Sequence, residues 1–109
     1  MITVEVDNKP GDTIPLHSWV DPSGGTVHSD TPIWINATDE GGSGVAYIHF
    51  EVWYNGEPVH TEEYYNDSLE MQFQDFGIYE GAADLIFWAA DNAGNIESPP
   101  NMCHYTVVM

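Results

Sequence analysis

At 109 residues the chain is one ordinary domain, long enough for a single core. A hydrophobic content of 42%, with four Trp, six Tyr and four Phe, excludes a disordered chain. Eighteen Asp and Glu stand against one basic residue, Lys9, for a net charge of −17, which repels nucleic acid and anionic lipid and excludes both as partners.

That charge costs stability through self-repulsion, and salt or bound cations relieve it. It fits either a halophile-like surface or a cation-binding surface protein. Cys103 is the only cysteine, so an internal disulfide is excluded, and its flanks "NMCHYTV" alternate like a strand around a small buried hydrophobe. No apolar run is long enough for a helical membrane span, which predicts no direct membrane insertion; "MITVEVDN" does not read as a signal peptide, so a secreted protein is expected to have this as a mature chain or an excised domain.

Short segments rich in β-branched and aromatic residues are separated by Gly, Pro, Asn and Asp, without a helical period. This is a sandwich or barrel signature, and the expected fold is an all-β, antiparallel, Greek-key sandwich of about seven strands. In chain order the strands fall at Ile2–Val6, Pro32–Ala37, Ala46–Tyr54, Val59–Tyr64, Leu69–Phe73, Ala83–Ala90 and Met102–Val108. The segment 8–31, with three of the seven prolines, reads as an extended loop pinned by Leu16 or Trp19. "DEGGSG" at 39–44 is a turn between two strands, and Asn55-Gly56 suits a tight primed hairpin.

Alternation assigns the faces. Ile33, Ile35 and Ala37 face the core, as do Ile48, Phe50, Val52 and Tyr54, then Ala83, Leu85, Phe87 and Ala89, and last Cys103, Tyr105 and Val107. The opposite faces carry Trp34, Trp53, Ile86 and Trp88 beside His49, Glu51, Asp84 and His104. With the third, sixth and last strands in one sheet, Trp53, Ile86, Trp88 and Met102 form an outer apolar patch. Either the loop 8–31 folds over it or it marks a contact surface.

"TPIWINATDEGGSGVAYIHFEVWYNGE" followed by "EGAADLIFWAADNAGNIES" resembles the Ig-like repeat modules of archaeal and bacterial cell-surface proteins. The match lies in Thr31–Asp39, Gly42–Val45 and Ala89–Asn95, while 12–30 and 59–77 match weakly. "TVEVDNKPG" at 3–11 resembles the joint between such modules, with Gly11 where a second Pro is usual. The resemblance implies a single Ig-like domain over 1–109, with 1–11 a joint strand and 12–31 loop-rich. It also implies an extracellular location, with neighbouring modules or subunits of the same kind as partners.

Three candidate sites follow. Asp39 and Glu40 end one strand and Asp91, Asn92 and Asn95 end another. If these loops cluster at one end, with Asp7 at the joint, they supply oxygen ligands for calcium; the alternative is turn chemistry alone. The face formed by Trp53, Trp88, Ile86, His49, Glu51 and Asp84 suits polysaccharide stacking or a module-to-module contact. "NAT" at Asn36 and "NDS" at Asn66 are glycosylation acceptors.

No histidine pair has metal-ligand spacing, and only His49 and His104 share a face across the intervening strand. No nucleophile elbow, Cys-His pairing or phosphate loop occurs, so the expectation is no enzyme. The functional expectation is a non-catalytic structural, spacer or adhesion module stiffened by calcium. The alternatives are a carbohydrate- or protein-binding module using the Trp face, and a self-assembling filament or sheath subunit that adds a strand to its neighbour.

Overall fold

Alternating apolar residues at a period of two build two stacked sheets in the computed structural model, which describes residues 16–39 and 42–109. The strands are β1 (His17–Asp21), β2 (Gly25–His28), β3 (Ile33–Thr38), β4 (Val45–Tyr54), β5 (Glu57–Tyr64), β6 (Ser68–Met71), β7 (Gly81–Asp91) and β8 (Asn101–Val108). The smaller sheet has the order β1-β3-β6 and the larger β2-β8-β7-β4-β5. All pairings are antiparallel except β2 with β8. The all-β sandwich expected from alternation, Ig-like by the resemblance, is the fold observed.

The inward faces are those assigned by alternation. Ile33, Ile35, Ile48, Val52, Leu85 and Ala89 are fully buried. Full burial of one such large aliphatic side chain contributes about 1.5–3 kcal/mol. Tyr54 and Cys103 are half-buried against this core rather than inside it. Tyr54 sends its hydroxyl out to donate to the Glu80 carbonyl at 2.6 Å. Burial pushes the Cys103 thiol above its ordinary pKa.

Two expectations are corrected. The described part of segment 8–31 is not a loop: it supplies β1 to the small sheet and β2 to the edge of the large one, giving eight strands among the described residues. Leu16 does pack against the core, but Ser18 and Val20 are the buried residues of β1, and Trp19 lies outside. The segment Leu69–Phe73 ends as a strand at Met71, and Phe73 opens a single 3-10 turn, Phe73–Phe76. There the Gln72 N–H donates to Asp75 Oδ2, and the fully buried Phe73 ring packs edge-on against Tyr105 at 5.1 Å. Strand Ile2–Val6 and the joint over 1–11 lie outside the described residues.

The Asn55-Gly56 hairpin forms as expected, with positive φ at both residues, 52° and 83°. β5 ends the large sheet, and its edge carries Glu57, Pro58, Glu62 and Glu63. Charge and proline there oppose edge-to-edge association.

Candidate binding face and loop cluster

The outer face of the large sheet is set by strand register. Across β8, β7, β4 and β5 one row reads His104, Asp84, Trp53, Pro58; the next reads Met102, Ile86, Glu51, Thr61. Trp88, His49 and Glu63 form a third. All six residues of the expected face are therefore brought together, and within it they bind one another. The His49 ring stacks on Trp88 with centroids 4.0 Å apart and planes 17° from parallel. His49 Nε2 lies 3.0 Å from Glu51 Oε2, and Trp53 Nε1 donates to Glu51 Oε1 at 3.0 Å. Asp84 takes the ring Nδ1 of His104.

These contacts have an electrostatic signature. The hydrogen bond from His49 holds the Glu51 carboxyl below its ordinary pKa; burial opposes this, and the Trp53 N–H and the His49 charge assist it. Trp53 and Trp88 are half-buried, and one face of the Trp88 indole is already covered by imidazole. Met102 of this face is 56% exposed. His49 and His104 do share the face. However, their cross-strand partners on β7, Trp88 and Asp84, lie four residues apart, which is about 13 Å along a strand and too far for one ion.

The second site is the loop end. Asp39, Asp91, Asn92 and Asn95 come to the same end of the sandwich, as the clustering argument requires; Glu40 and Asp7 lie outside the described residues. Buried Asp91 organises its own loop. Its Oδ1 accepts from the backbone N–H of Ala93 and of Asn95, and its Oδ2 from the Asn95 amide, all within 3.0 Å. Gly94 has φ of 94°, the left-handed conformation that closes the turn.

Gly44 joins the two loops: its N–H donates to Asp39 Oδ2 at 3.1 Å, and its carbonyl accepts from the backbone and side-chain N–H groups of Asn92. Ser43 Oγ accepts from Ala93 N at 2.9 Å. Protein donors thus account for this turn chemistry. Among the described residues, no group of three or more His, Cys, Asp or Glu is placed to hold a metal.

Sequence reasoning missed two features. Glu97, read only as part of a loop, is a bridge between the sheets. Its Oε1 accepts from the Ser18 hydroxyl and the Ala89 N–H, and its Oε2 from the Ser18 N–H and the Asn101 amide. No local pattern announces this, because Ser18 lies 79 positions away. The second is the outer face of the small sheet, where Trp19 and Trp34 are 40% and 45% exposed. Alternation within "HSWVD" would have found it once that segment was read as a strand. A shallow cavity of about 280 Å³ opens between β1 and the first half of β8, lined by Ser18, Trp19, Phe87, Asn101 and Cys103 among others.

The fold is similar to that of a solved protein. The crystal structure of CopC from Methylosinus trichosporium OB3b superposes with a TM-score of 0.59 at 17% identity, covering 84% of this chain and 94% of that one. At that identity the likeness speaks to the β-sandwich alone. The chain matches no protein-family model and no curated protein sequence. No helix of the described residues is long and apolar enough to cross a membrane.

Proposed function

We propose that this chain is a non-catalytic, extracellular structural module, a spacer or adhesion unit of a cell-surface protein of the type whose repeats it resembles. One observation carries the reading. The most enclosed carboxylates hold the chain to itself: Glu97 links the sheets, Asp91 closes its loop, Asp39 closes its own turn on Gly44, and Glu51 ties His49 to Trp53. Charged groups fixed by donors of their own fold serve rigidity, which is what a spacer needs. The test has two arms. Antibody labelling of intact native cells is expected to detect the chain at the surface, and labelling only after lysis overturns the extracellular location. Sedimentation across concentration is expected to show a non-associating chain.

Two other readings have their own observations. The contiguous Met102, Ile86 and Trp53 surface favours a sugar- or protein-binding face; saturable quenching of Trp fluorescence by oligosaccharides supports it, and a flat titration removes it. Mass that grows with concentration in sedimentation favours the self-assembling subunit. We propose further that calcium stiffens the module, on the convergence of Asp39, Asp91, Asn92 and Asn95 at one end. A melting midpoint raised by calcium and lowered by EDTA supports it, and an unchanged midpoint leaves the spacer reading without an ion.

A further inference from the structure

On the small sheet, register places Asn36 directly opposite Trp19 on β1 and opposite Ser68 on β6. Trp34, two residues before Asn36, shares its face, as does Thr38, two residues after. Trp34 in turn pairs with Asp21 and Glu70. The Asn36 Cβ therefore lies about 5–7 Å from the Cβ atoms of two residues with exposed indoles, Trp19 across the strand gap and Trp34 along its own strand. The Trp19 ring is held by a stack on His17 at 5.4 Å. Ser68 Oγ donates to Asn36 Oδ1 at 2.8 Å, which orients the amide.

We propose that Asn36 is an N-glycosylation site whose first sugar ring is seated on Trp19 and Trp34, so that the attached glycan covers the outer face of the small sheet. The occupant is named by the face itself. Asn36-Ala37-Thr38 is an acceptor sequence, and the strand puts its Asn and Thr on the side that also carries the two exposed indoles. Pyranose C–H groups pack on indole faces, while Asp21, Glu70 and Ser68 present oxygen acceptors to sugar hydroxyls. A net charge of −17 disfavours an anionic sugar at this position.

The covalent step needs a lipid-phosphate-linked saccharide as donor. Asn36 Nδ2 forms the new bond to the anomeric carbon, the C–O bond to phosphate breaks with its electron pair leaving on the phosphate, and Nδ2 loses one proton. The other acceptor, Asn66, is a contrast. It lies in the exposed turn between β5 and β6, with Oδ1 accepting from Asp67 N at 2.7 Å, and no Trp is among its hydrogen-bonded or stacked neighbours.

The inference rests on the extracellular reading for its relevance in the native cell, but the site is tested in a host of known glycosylation. The full chain is secreted from an N-glycosylating cell beside Thr38→Ala, which removes the acceptor and keeps both indoles. Peptide mass spectrometry is expected to find Asn36 occupied. With glycans trimmed to one sugar, two of the four Trp are shielded, so the acrylamide quenching constant falls by up to about two-fold against Thr38→Ala. Trp34→Ala is expected to keep occupancy and lose part of that protection. An unmodified Asn36, or an occupied one that quenches like Thr38→Ala, overturns the inference and leaves the spacer reading standing. An intracellular location in native cells overturns the spacer reading and leaves the competence of the site intact.

Discussion

Replacing Glu97 by Ala tests whether one side chain fastens the two sheets together. The carboxylate receives two backbone N–H groups, from Ser18 and Ala89, in residues only 2% and 0% exposed, together with the Ser18 hydroxyl and the Asn101 amide. Each buried donor left without an acceptor costs about 1–3 kcal/mol. The Asn101 amide keeps Ser18 Oγ as a second acceptor at 2.9 Å, and the half-exposed position of Glu97 admits water, so the loss lies near the two backbone donors, about 2–4 kcal/mol.

With an unfolding entropy of about 2.1 cal/mol/K per residue, that loss lowers Tm by about 9–17 °C. Removing one negative charge from a strongly acidic chain works in the opposite direction. Glu57→Ala, at the exposed start of β5, serves as the control, with an expected change within about 0.5 kcal/mol. Glu97→Gln keeps one acceptor oxygen and turns an NH2 toward the other donors, so its stability falls between wild type and Glu97→Ala. Urea unfolding followed by Trp fluorescence measures all three. A Glu97→Ala loss below about 1 kcal/mol relative to Glu57→Ala would refute the bridge.

Other perturbations probe separate parts of the fold. Glu51→Gln removes a carboxylate whose pKa is lowered in the folded state, so the stability it contributes is full above the unfolded carboxylate range and fades as pH falls through the folded value. The Tm difference between wild type and Glu51→Gln is expected to shrink on acidification, and a gap that widens there contradicts the assignment. Leu85→Ala, at a fully buried position on the central strand, is expected to lose about 2–5 kcal/mol in urea unfolding; a loss under 1 kcal/mol would mean that β7 is not packed as described. Gly94→Ala meets no atom within 4 Å, so its whole cost is the left-handed backbone at φ of 94°, about 1–2 kcal/mol. A neutral result there shows that the loop takes another conformation.

Period-two alternation was enough to sort core from surface on β3, β4, β7 and β8, because any one-residue slip would have turned those apolar sets to water. Asn55-Gly56 and Gly94 announced their turns for an equally local reason: few residue types accept positive φ. The segment 16–31 was not legible in this way. Its strands are only five and four residues long, interrupted by Pro22, Ser23 and Gly24, and each is stabilised by a partner far away in sequence, β3 for one and β8 for the other. Reading that segment as a loop hid the side of the molecule on which Trp19 joins Trp34.

The candidate sites divide along the same line. The sequence alone determined which residues would share the large-sheet face, since register follows from alternation and from the hairpin. Tertiary structure decided that those residues engage one another: His49 covers Trp88 and Glu51 ties down Trp53. For "DNAGN", composition left metal and turn chemistry open, and the fold supplied Asp91 with three protein donors of its own. Glu97 belongs wholly to the tertiary level. Its donors come from three separate stretches of chain, and only the closing of one sheet over the other brings them within hydrogen-bond reach of a single carboxylate.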